Sequence, residues 1–215
     1  MRDLLALAVL LSIAPGVAMA AGPGGLKQAI EFTFEQTEQA VPRYAIYLDD
    51  KGVGSYREGA AAEGAKLQVS AATVKTIFAA RRTIQTGHCE TKFKGIASSG
   101  KKALRYFDND VVTECVLNYS DDRKVNAAVD AFMEIAETMQ EGEKLAHEHR
   151  FDRLGLDAEM DFLIDEVKNG RAIEVQNIAP VLQGIVADDA VMERVRRKAQ
   201  GLLDQYVDAA PVRAR

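Results

Sequence analysis

The chain has 215 residues, 47% of them hydrophobic and 27% charged, with five prolines, two cysteines and no tryptophan. That balance excludes a disordered tail, a collagen-like fibre and a disulfide-dense mini-protein, and it fits one or two small globular domains. The net charge of −5 is uneven: residues 21–120 carry 13 basic and 11 acidic side chains, and residues 121–215 carry 13 and 20, so neither half has a nucleic-acid footprint.

Met1-Arg2-Asp3 leads into an apolar run from Leu4 to Ile13. Pro15-Gly16 breaks that run, and Ala18-Met19-Ala20 supplies a small-x-small cleavage pattern. Residues 1–20 therefore read as a secretory signal peptide cut after Ala20. The apolar run is short of the ~20 residues that a membrane-spanning helix needs, and no later window approaches that length. No cysteine sits at the predicted cleavage point to carry a lipid. The mature chain is expected to be exported, to the periplasm or the extracellular medium, without a transmembrane segment.

Ile30-Glu31-Phe32-Thr33-Phe34-Glu35 alternates apolar and polar residues, the pattern of a half-buried strand. Tyr44 to Leu48 predicts a second strand, and Asp49-Asp50-Lys51-Gly52 has turn chemistry. Short strands follow over Val53 to Arg57 and Lys66 to Val69. Ser70 is placed to cap a helix over 71–85, with Val74, Ile77, Phe78 and Ile84 on one face. The order then repeats, with strands predicted at about 91–97, 101–107 and 112–119. Ser120 is expected to cap a long helix whose stripe is Val125, Ala128, Val129, Phe132, Ile135, Ala136 and Met139, with Gly142 near its end or in a late turn.

From about Phe151 onward the pattern is helical. Asp157 is positioned to cap a helix with Met160, Leu163, Ile164 and Val167 inward, and Asn169-Gly170 ends it. Pro180 suits a first helical turn, and Asp188 or Asp189 is expected to cap a last helix carrying Met192, Val195, Ala199, Leu202, Leu203 and Tyr206. Ile178-Ala179-Pro180-Val181-Leu182, then Asp188-Asp189, then Val195-Arg196 with Ala199 and Leu203, resembles one HEAT-type helical hairpin near residues 175–205. That resemblance implies a helix pair of the kind that stacks into protein-binding scaffolds, although such a repeat needs about three copies to bury its faces. An amphipathic pair packed on the sheet has the same pattern.

The expected fold class is α+β: an antiparallel sheet built from two strand-meander-plus-helix units, followed by a C-terminal helical segment. The matching organisation is a signal peptide (1–20), a sheet-and-helix domain (21–145) and a helical subdomain (146–215).

Cys89 and Cys115 are an even pair in a chain bound for an oxidising compartment, which predicts one disulfide. His147-Glu148-His149, with Asp152 nearby, is the candidate metal site. Residues two apart on a helix point about 200° apart, so both imidazoles reach one ion only if the segment is extended. Asp157, Asp161 and Asp165 step by four along one helix edge, a row suited to a cation or to solvent. Lys92, Lys94, Lys101, Lys102 and Arg105 concentrate basic charge in the segment that the disulfide closes. They form a candidate surface for an acidic partner, or the solvated face of an edge sheet. Ser98-Ser99-Gly100-Lys101 has Ser-x-x-Lys spacing but falls in a turn, where that chemistry lacks its helix, and Asn118-Tyr119-Ser120 is a glycosylation acceptor in a eukaryotic source. These residues assign no catalytic side chain and imply no cofactor. The expected function is a secreted or periplasmic non-catalytic module that binds a protein or envelope component, the alternative being a small exported metal-binding protein or hydrolase using His147 and His149.

Overall fold

The structure, a computed structural model, describes residues 28–35, 44–59, 63–91 and 100–207. The predicted leader, residues 92–97 of the strand expected at about 91–97, and Ser98 and Ser99 lie outside these residues, Lys92 and Lys94 among them.

Six strands form one antiparallel sheet: β1 (Gln28–Glu35), β2 (Tyr44–Asp49), β3 (Val53–Glu58), β4 (Ala65–Gln68), β5 (Lys101–Asp108) and β6 (Val111–Leu117), in the order β4-β3-β2-β1-β5-β6. The alternation in β1 explains its central place. Ile30, Phe32 and Phe34 all point to one face and are buried, so the strand needs apolar neighbours on both sides. Phe32 lies between Ile46 of β2 and Leu104 of β5. The two predicted meanders thus join along β1, and the fold is α+β as expected.

The helices are α1 (Ala71–Phe78), α2 (Arg81–Gln85), α3 (Arg123–Phe151), α4 (Leu156–Lys168), α5 (Ala179–Ala187) and α6 (Glu193–Tyr206), with a 3-10 turn at Val175–Ile178. They cover the sheet face bearing Phe32, and on that side Phe132 of α3 stacks on it. The opposite face carries Glu31, Arg105 and Glu114, together with the Tyr47 and Phe107 rings, whose centroids lie 6.0 Å apart.

The helix expected over 71–85 divides at Ala79-Ala80, because its halves pack on different elements: α1 on α3, α2 on β5 and β6. Ser70 caps α1 through its hydroxyl, as its position predicts. The cap of α3 is Asp122, which accepts from the Lys124 N–H at 2.8 Å, while Ser120 accepts from the Asp122 N–H at 3.2 Å and stabilises the approach. Asp157 lies in the first turn of α4 rather than at its cap, and Asp188 accepts from the Ala190 N–H in the α5–α6 turn rather than capping α6.

α3 runs unbroken for 29 residues, through the boundary expected at 145/146. Gly142 is internal to it. A Cβ there would collide with the Ile178 side chain, so glycine is what lets the 3-10 turn seat against the helix. α5 and α6 pack on each other, and Leu182, Ile185, Val195 and Ala199 join the same continuous core as Phe32 and Leu104. No helix among the described residues is long and apolar enough to cross a membrane.

Candidate functional site

The structure separates most of the residues that the sequence singled out. Cys89 and Cys115 are bridged, with Cα atoms 5.8 Å apart, and tie the chain after α2 to the edge strand β6. His147 and His149 both lie inside α3 and diverge as helical spacing dictates. The ring of His147 sits 5.0 Å from that of Phe151, whereas His149 Nε2 is 2.9 Å from Asp188 Oδ2. Arg153 reaches the same carboxylate oxygen at 3.1 Å. The Asp188 carboxyl is held below the usual range, first by the backbone N–H of Ala190 and then by His149. Asp152 instead turns its carboxylate to the Leu154 and Gly155 N–H groups. Among the described residues no group of three or more histidine, cysteine or acidic side chains is arranged to hold a metal ion.

The basic set divides between the two faces of β5, as alternate strand residues must. Lys101 is exposed, and Arg105 lies on the outer face between Glu31 at 3.5 Å and Glu114 at 3.1 Å. Lys102 points the other way and is only 9% exposed, with Nζ 6.0 Å from the Phe34 ring centroid. Burial lowers its pKa, against the opposing effect of Asp130 on α3. The aspartate row on α4 meets a partner from α6: Lys198 Nζ is 2.9 Å from Asp157 and 2.6 Å from Asp161, and Arg194 Nε is 2.9 Å from Asp157.

A concavity that no sequence motif marked lies between α1 and α3, with a volume of about 370 Å³. Thr73 and Thr76 line it from α1, Asp130 and Glu134 from α3, and the short side chains of Ala127 and Ala131 leave the space open. Ile173 completes the lining beside the 3-10 turn. Burial, and then the neighbouring Asp130, push the Glu134 carboxyl above its ordinary value. The lining contains two acids and no base.

Its walls are held by hydrogen bonds between distant parts of the chain. Glu174 adopts a left-handed backbone with φ +61°, rare for a residue with a long side chain. From there its carboxylate accepts from Ser70 N at 2.9 Å, Ser70 Oγ at 2.7 Å and Thr73 Oγ1 at 2.5 Å. Asn177 Oδ1 accepts from Gln68 N at 2.7 Å, and Thr138 Oγ1 donates to the Ile173 carbonyl at 2.6 Å. These bonds fix α1 relative to α3, so the space between them is a built feature rather than a loose seam. In the sequence the only trace is spacing, since Asp130/Glu134 and Ala127/Ala131 are each one turn apart on the polar flank of the α3 stripe.

No protein-family model, no curated protein and no solved structure matches this chain.

Proposed function

We propose that the protein is an exported, non-catalytic binding module whose α1–α3 groove receives a cationic side chain of a partner protein. The observation that carries this reading is the acidic pair Asp130 and Glu134, facing a concavity of about 370 Å³ with no base in its lining. That volume falls within the range of ligand pockets, ~300–1,000 Å³. Two carboxylates one helical turn apart repel each other mildly, and a lysine ammonium or arginine guanidinium between them turns that repulsion into attraction. The leader pattern and the Cys89–Cys115 bridge support export to an oxidising compartment.

Calorimetric titration of the oxidised mature chain with an oligolysine peptide tests the reading. The expected result is salt-sensitive binding that weakens at least ~10-fold, about 1.4 kcal/mol, in the Asp130→Asn, Glu134→Gln double variant. The control is Asp165→Asn with Asp204→Asn, which removes the same charge from exposed positions away from the groove. Equal losses in both double variants would reduce the interaction to net charge and overturn the assignment. Metal analysis of the same protein addresses the alternative: a stoichiometric ion lost on replacing His147 and His149 would replace a binding module with a metal protein.

A further inference from the structure

We propose that Glu141 and Glu159 share one proton, and that this shared proton is a pH-sensitive latch holding α4 against α3. Glu141 projects from the middle of α3 and its side chain is 0% exposed. Lys144, one turn on, bonds to Glu141 Oε1 and lies 3.7 Å from Glu159 Oε1 on α4. One half-exposed cation thus faces two carboxyl groups and can neutralise only one. The remaining oxygens indicate where the other charge goes. Glu141 Oε2 and Glu159 Oε1 are both buried and neither accepts a hydrogen bond, since Lys144 at 3.7 Å from Glu159 is beyond hydrogen-bond reach. A buried carboxylate oxygen without a donor is costly. A single proton on Glu141 Oε2, directed to Glu159 Oε1, satisfies both atoms and brings the Glu141–Lys144–Glu159 group to zero net charge.

Two further acids lie near this group. Glu137, one turn back on α3, also acts on Lys144, while Glu166 of α4 is occupied by a bidentate bond from Arg171. The 3-10 turn that packs beside Glu141 presents the apolar Ile178 to Gly142. Burial, followed by the hydrogen bond with Glu159, pushes the Glu141 carboxyl up to about 7 from its ordinary 4.5, against the opposing effect of Lys144. The latch is therefore closed in mildly acidic surroundings. As the pH rises through about 7 the proton leaves, two carboxylates then face one ammonium, and the α3–α4 contact loosens.

Carboxyl NMR titration of the wild-type chain tests the shared proton directly. Glu141 is expected to titrate near 7, and a midpoint near 4.5 would overturn the proposal. The second measurement is the amide-exchange protection of α4 in wild type relative to Glu141→Gln, which keeps a donor toward Glu159 but cannot ionise. That ratio is expected to fall at least ~10-fold between pH 6 and 8 in α4, while the same ratio for β1 stays constant. Equal ratios in both elements would mean that no latch exists at α4. Should Glu141→Gln fail to fold, Glu159→Gln serves in its place, and the wild-type titration remains decisive.

Discussion

The ring of Phe32 lies flat on that of Phe132, with centroids 5.2 Å apart and planes 8° apart. One belongs to the central strand and the other to the longest helix, so this pair joins the two layers at the middle of the core, and both side chains are fully buried. Phe132→Ala is expected to cost roughly 3–5 kcal/mol, the transfer term plus the cavity left under Phe32. Urea unfolding measures it. A loss below about 1 kcal/mol would show that the seam is carried elsewhere.

The Cys89–Cys115 bridge anchors an edge strand that has only β5 as a sheet neighbour among the described residues. Peptide mapping without reductant is expected to find the two cysteines linked, and free thiols in protein taken from its native compartment would refute the pairing. Replacing both with alanine is expected to lower stability by roughly 3–4 kcal/mol, from the chain entropy that the bridge removes from the unfolded state.

Glu174 sets backbone strain against side-chain bonding. Glycine there would relieve the left-handed conformation, worth roughly 1–2 kcal/mol. It would also remove the acceptor used by Ser70, Thr73 and Gln176. Several lost bonds at about 1 kcal/mol each outweigh one relieved residue. Glu174→Gly is therefore expected to be destabilising in chemical denaturation. A variant more stable than wild type would mean that the strain outweighs the bonds.

Glu143 and Glu58 form a second carboxyl pair, between α3 and β3. Partial desolvation, and then the hydrogen bond with Glu58, push the Glu143 carboxyl up to about 7 from 4.5. The sign follows from proton counting. Between 4.5 and about 7 the folded state holds a proton that the unfolded state has lost, so stability falls as the pH rises through that window and levels off above it. Glu58→Gln removes the like charge and is expected to flatten this slope in melting curves taken from pH 5 to 8. Unchanged slopes would overturn the pairing.

Patterns repeated within one element were legible without coordinates. The alternation of Ile30, Phe32 and Phe34 with Glu31, Thr33 and Glu35 marked both the strand and its buried face. The stripe from Val125 to Met139 likewise marked the inner side of α3. Caps were less legible, because several polar residues competed near each helix start. Ser70 caps α1 as its position predicts, but Asp122 rather than Ser120 caps α3, and Asp157 pairs with Lys198 and Arg194 instead of capping α4.

The candidate sites belong to the tertiary structure. A local period says which face of an element is apolar, but not which distant element will cover it. Phe32 and Leu104 are paired across the sheet, Glu174 reaches Ser70 across 104 residues of chain, and Thr73 and Thr76 of α1 share the groove with Asp130 and Glu134 of α3. Lys101 and Lys102 show the converse, since neighbours in sequence end on opposite faces of a strand. Glu141 shows it most clearly: its position within the polar content of α3 gives no sign of burial, and only the packing of α4 places Glu159 beside it. Burial and partnership of charged groups depend on how the layers meet, and that is settled by the joint packing of all the elements rather than by any one of them.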